Sequence, residues 1–202
     1  MTASTIKHIS LEAYFEMEYN APIRHEYLNG KIRPMSYTSI NHNRIVRNLN
    51  RIFDMLFLEQ QSEIFTETRM LYVPDCNKVY YPDGLIIADT HELYNYKGKM
   101  DATLNPTVLI EVNSDSTQRF DKFYKWECYQ TIASLQQYVL ISQKKPFVSL
   151  YERQAPGSNT WLYTGHQNME AAVRIAGYDV TLKDLYHKVI FPPPEVEEEE
   201  AD

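Results

Sequence analysis

Pro106-Thr107-Val108-Leu109-Ile110-Glu111-Val112 is a short, β-branched apolar run broken by a single acid. Such a run suits a strand covered on both faces of a sheet. A carboxylate there costs several kcal/mol unless it is paired or ligated. Upstream, Tyr81-Pro82-Asp83 opens a second apolar stretch that contains Leu85-Ile86-Ile87. Downstream, a helix is predicted from about 117 to 133 with Thr117 as its cap, and Asp121 and Lys125 lie four apart on one face of it.

Two carboxylates on adjacent strands suit Mg²⁺, which binds through one or two acids and keeps water and substrate phosphate in its other positions. A nearby lysine can orient the attacking water or offset charge developing on a phosphate. Asp83, Glu111 and Lys125 are therefore the minimum set for metal-assisted phosphodiester hydrolysis. Plainer readings stand beside this one. Pro-Asp is a common turn at a strand start, and a strand Glu can face solvent on an edge or pair with a lysine. Asp121 and Lys125 can also form an exposed ion pair worth a few tenths of a kcal/mol.

Around this centre the pattern alternates between helix and strand. Ser10 is positioned to cap a helix over 11–17. Asn29-Gly30 between 24–28 and 31–35 is a strong tight-hairpin signal. The segment from about 40 to 60 carries Ile45, Leu49, Ile52, Phe53 and Leu56 at helical spacing. Strands are predicted over 64–73, 79–88, 106–112, 137–141, 147–151 and 161–164. The order argues for an α/β fold with a mixed central sheet flanked by helices.

The 202 residues fit one domain over 1–191, followed by a tail over 192–202 that begins with prolines and turns acidic. That tail is expected to be disordered. Its six acids (Glu195, Glu197, Glu198, Glu199, Glu200 and Asp202) account for all but one unit of the net charge of −7, so the charge of the domain neither supports nor excludes nucleic acid. No stretch reaches the ~20 apolar residues of a membrane span, no signal-peptide pattern opens the chain, and a cytoplasmic location is expected. Cys76 and Cys128 are far apart in unlike contexts, which reads as two unrelated reduced thiols more readily than as a redox pair or a metal site.

Taken together, Pro82-Asp83, the segment Ile110-Glu111-Val112-Asn113-Ser114-Asp115-Ser116-Thr117, then Asp121-Lys122-Phe123-Tyr124-Lys125 and Tyr129 resemble the Uma-type branch of the PD-(D/E)XK nuclease superfamily. The resemblance covers nearly the whole chain. It implies a restriction-endonuclease-like fold and a metal-dependent endonuclease acting on DNA with Mg²⁺ or Mn²⁺. Asp83 and Glu111 match its two metal-ligating acids. The superfamily's lysine two residues after the second acid is Asn113 here, and Lys125 on the helix resembles a migrated equivalent. Glu26 matches a further acid, and Asp115 replaces the branch's usual proline.

Asp121, His42 and Tyr129 are further site candidates. Each has a plainer role: His42 as a hydrogen-bonded core histidine, Tyr129 as core packing. Arg44, Arg47 and Arg51 form a basic helix face, either solvated or phosphate-contacting. A homodimer is plausible by analogy with nucleases that cut two strands. A non-catalytic nucleic-acid-binding or interaction module with the same fold is the alternative to an enzyme.

Deleting residues 195–202 is expected to change unfolding free energy by no more than about 0.5 kcal/mol, the scale of surface changes away from packed features. A chemical denaturation curve would check this, and a larger loss would show that the tail packs on the domain.

Overall fold

The computed structural model describes residues 8–113 and 118–193, with side chains described throughout except at 118–122. Thr117, Asp115, the Asp121 side chain and the acidic tail from 194 onward lie outside the described residues.

Helix α1 (Leu11–Asn20) starts where expected, with the Ser10 hydroxyl accepting the Ala13 N–H at 3.2 Å. Strands β1 (His25–Leu28) and β2 (Lys31–Pro34) form the hairpin, turning through left-handed Asn29 (φ 47°) and Gly30 (φ 92°). Two positive φ values in a two-residue loop match the twist of the strands they join. Helix α2 (Ile40–Leu56) is capped by Ser39 and buries Ile45, Leu49 and Phe53.

Two stretches that read as continuous strands are each divided between two sheets. Residues 64–73 become β3 (Glu63–Thr66) and β4 (Leu71–Val73), and residues 79–88 become β5 (Lys78–Tyr80) and β6 (Gly84–Ile87). Pro82 has no N–H to give to a ladder, so the strand cannot run through it. At the other crossing Glu67 takes a left-handed φ of 56°. The crossings lie side by side, the Glu67 N–H donating to the Asp83 carbonyl at 3.3 Å.

The remaining elements are β7 (Leu93–Tyr96), β8 (Met100–Thr103), β9 (Val108–Asn113), α3 (Gln118–Tyr129), β10 (Gln137–Ser142), β11 (Val148–Arg153), β12 (Trp161–His166), β13 (Ala172–Ile175), β14 (Tyr178–Thr181) and α4 (Leu182–Leu185). The mixed α/β class is as predicted, but the described strands form two six-stranded sheets and a separate hairpin. One sheet runs β2-β1-β5-β4-β8-β7, the other β12-β11-β10-β9-β6-β3, and the hairpin is β13-β14. Strands β9 and β10 are parallel neighbours and α3 is their crossover.

Alternation along β9 sorts its side chains. Val108, Ile110 and Val112 face a core with Ile45, Leu49 and Phe53 of α2, while Leu109 shares the opposite core with Cys128, Tyr129 and Tyr138. Glu111 falls on the Leu109 side by the period of two. That places it under α3.

The two cysteines are not separate thiols. Cys76 and Cys128 form a disulfide between α3 and the short 3-10 turn Pro74–Cys76, with Cα atoms 5.9 Å apart. A separation of 52 residues offers no spacing signature, and only the docking of α3 brings the two together. Closing such a loop stabilises by roughly 2–4 kcal/mol, chiefly through the unfolded chain.

Buried Asn48 donates to the carbonyls of Leu185 (2.8 Å) and His187 (2.9 Å), fastening the segment around α4 to α2. Asn48→Ala leaves both carbonyls without that donor and is expected to cost about 1–3 kcal/mol. Urea unfolding measures this. An unchanged midpoint would mean that packing alone holds the segment.

Candidate active site

The site forms where the chain passes between the two large sheets. Glu26 comes from β1 of one sheet, Glu111 from β9 of the other, and Asp83 from the crossing that joins β5 to β6. Lys125 descends from α3 and His42 stands in the first turn of α2. All five line one open cleft of about 540 Å³.

Lys125 is the hub. Its Nζ lies 2.9 Å from Glu111 Oε1 and 3.3 Å from Glu26 Oε1, and 5.5 Å from the centre of the Tyr80 ring. The Tyr129 hydroxyl donates to the same Glu111 oxygen at 2.9 Å. Glu111 is 7% exposed and β9 is an internal strand, so the solvent-facing edge reading fails. The reading of Lys125 as half of an exposed helix pair also fails, because its ammonium points inward. Tyr129, 0% exposed, both packs the core and holds the acid.

Asp83 is fixed from two sides. Its Oδ2 accepts the Val112 N–H at 2.7 Å, and its Oδ1 lies 2.9 Å from His42 Nε2. This ties the crossing to β9 directly beside Glu111. Gly84 permits it, since a Cβ there would stand 3.3 Å from Ile110 Cβ. His42, 5% exposed, is a hydrogen-bonded core histidine and a site residue at once. Its Nδ1 makes no hydrogen bond among the described residues.

Arg33 escaped the sequence reading. Its Nε and Nη2 reach Glu26 Oε2 at 2.8 and 2.5 Å. The signal was available: counting outward from Asn29-Gly30 pairs residue 26 with residue 33 across the hairpin. Asn113, at the position of the superfamily lysine, lines the cleft, and its buried Nδ2 has no partner among the described residues. Tyr37 is fully exposed on the cleft rim.

Electrostatics follow from burial and from the charges packed around the cleft. Burial pushes the Glu111 carboxyl above its usual range; Lys125 pulls it down, and Asp83 and Glu26 push it up again. Burial also resists the Lys125 charge, but Glu111 and Glu26 more than offset this, so the ammonium is held charged. For His42, burial opposes protonation and the Asp83 carboxylate outweighs it, raising the ring above its ordinary value. Asp83, Glu111 and Glu26 face Lys125 and Arg33, with His42 beside Asp83 as a third cation when protonated.

Among the described residues, no three His, Cys, Asp or Glu side chains are grouped as a metal cage. The donor set instead offers two acids at an open cleft. That suits an ion which keeps water and phosphate ligands, as Mg²⁺ does, and does not suit a closed zinc site.

The chain is similar to known proteins. The chain is 33% identical over 164 residues to the uncharacterized protein sll1609 of Synechocystis sp., covering 81% of this chain and 90% of that protein. It is 26% identical over 159 residues to slr1290 of the same organism, covering 79% and 80%. A crystal structure of a "putative nuclease belonging to DUF820" from Anabaena variabilis superposes with a TM-score of 0.69 at 18% identity, over 88% of this chain and 97% of that one. Residues 11–176 match the Uma2 family, described as "Putative restriction endonuclease", and the chain belongs to that family.

Proposed function

We propose that the protein is a Mg²⁺- or Mn²⁺-dependent endonuclease that hydrolyses phosphodiester bonds in DNA. The observation that carries this reading is the convergence of Asp83, Glu111 and Lys125 in one open cleft, with the lysine ammonium 2.9 Å from Glu111. Asp83 and Glu111 would hold the ion, which when bound lowers the pKa of water and draws charge from the phosphate oxygens.

The protein's own groups do the rest. The Val112 N–H and His42 fix the Asp83 carboxylate, so it presents one orientation to the cleft. Tyr129 does the same for Glu111. Lys125 keeps its proton, and its ammonium stabilises the negative charge that develops as water attacks phosphorus and the P–O bond to the leaving oxygen breaks. Arg33 holds Glu26 and adds positive charge to the cleft wall. In this scheme Glu26, His42 and Tyr129 are positioning residues.

Nicking of supercoiled plasmid with Mg²⁺ or Mn²⁺ tests this. Lys125→Ala and Asp83→Ala are each expected to lower cleavage by at least about a hundredfold, the scale of losing one preorganised electrostatic group. Lys183→Ala, on α4 and outside the cleft, should match wild type. Lys125→Ala also leaves buried Glu111 without Lys125 and Glu26 with Arg33 alone, so its thermal midpoint is measured alongside. Equal cleavage by wild type and Asp83→Ala would overturn the assignment. Tight DNA binding without cleavage in any variant would favour a non-catalytic binding module.

A further inference from the structure

A second cavity, of about 590 Å³, lies on the far side of Lys125 and Arg33, which line both it and the acidic cleft. Its volume is within the roughly 300–1,000 Å³ of small-ligand pockets. Lys31 and Lys78 line it together with Tyr80 and Tyr124, and no acid is among its described lining residues.

The sheet builds this surface by register. Lys31 of β2 and Lys78 of β5 are both direct cross-strand partners of Leu28 in β1. The two lysines therefore stand in one row on one face. Arg33 lies two residues beyond Lys31, and Tyr80 two beyond Lys78, on that same face. Two residues along a strand span about 6.7 Å, close to two axial rises of ~3.4 Å in a nucleic-acid strand. A strand whose scissile phosphate lies at the Lys125–Arg33 wall would thus bring a phosphate about two nucleotides away to the lysine row. Tyr124, exposed on α3 with its ring toward this cavity, adds an aromatic surface of the kind on which bases stack.

We propose that this cavity is a nucleotide subsite for the substrate strand. Lys31 and Lys78 take a backbone phosphate about two nucleotides from the scissile one, and Tyr124 stacks on a base beside it. The inference rests on the nucleic-acid reading of the acidic cleft. It adds that the strand passes over the Lys125–Arg33 wall in a fixed direction, from acidic cleft to basic pocket.

Binding, measured without cleavage, tests it. A fluorescein-labelled single-stranded oligonucleotide is titrated in the absence of divalent ions, and anisotropy is followed across a salt series. Lys31→Gln with Lys78→Gln is expected to weaken binding about tenfold and to lower the log–log salt slope by about 1 for each phosphate no longer neutralised. Tyr124→Ala should weaken binding by a similar factor, about tenfold, with the slope unchanged. Lys99→Gln with Lys183→Gln, lining neither cavity, is the comparison pair.

If the Lys31/Lys78 variant behaves like the comparison pair, the subsite is overturned while the catalytic reading stands. Pair-dependent binding of free dAMP without any effect on the oligonucleotide would assign the pocket to a mononucleotide and also overturn it. Pair-dependent strand binding by a protein that never nicks plasmid would sustain the subsite and remove the hydrolysis reading. No oligonucleotide binding by wild type would overturn both.

Discussion

A buried ammonium placed between carboxylates of two different sheets organises this molecule. Lys125 pairs with Glu111 of β9 and with Glu26 of β1, which Arg33 also holds. Desolvation opposes every charge in the group, so the arrangement survives only because each partner is also hydrogen-bonded elsewhere. Arg33 serves Glu26 and Tyr129 serves Glu111, while the Val112 N–H and His42 serve Asp83. Removing one member strands the others, which makes the cluster both a structural join between sheets and a chemically poised site.

Such a cluster needs a rigid frame, and much of the polar chemistry outside the cleft supplies one for α3. The Cys76–Cys128 disulfide ties the helix to the β4–β5 turn three residues beyond Lys125. Just past its C-terminal end, Arg153 donates to the carbonyls of Gln130 (3.1 Å), Ile132 (2.9 Å) and Leu135 (2.7 Å), meeting acceptors that the helix end and following turn leave open. Trp126 stacks on Tyr138 with ring centres 5.5 Å apart and meets Trp161 edge-on at 4.9 Å. An ammonium on such a helix is held in place before any substrate arrives, the condition under which electrostatic stabilisation costs no reorganisation.

The acidic cleft and the basic cavity share their dividing wall, Lys125 and Arg33. Opposite charge characters on two sides of one wall suit a polyanion that brings one phosphate to the acidic cleft and another to the lysines. The near-neutral balance of the domain hides this, because net charge averages over surfaces that do opposite things.

The sequence by itself determined the local pieces and the chemically expensive residues. Ser10 fixed a helix start, Asn29-Gly30 fixed the hairpin and hence its register, and an acid inside Val108–Val112 marked Glu111 as costly. Each of these signals acts within a few residues, where propensity, capping and period decide. Only the tertiary structure decided that 64–73 and 79–88 each divide between two sheets, that Cys76 meets Cys128, and that Lys31 joins Lys78 in a row. It also turned His42 from a core histidine into the partner of Asp83. These are contacts between segments remote in sequence, set by how whole faces pack, and no local spacing encodes them.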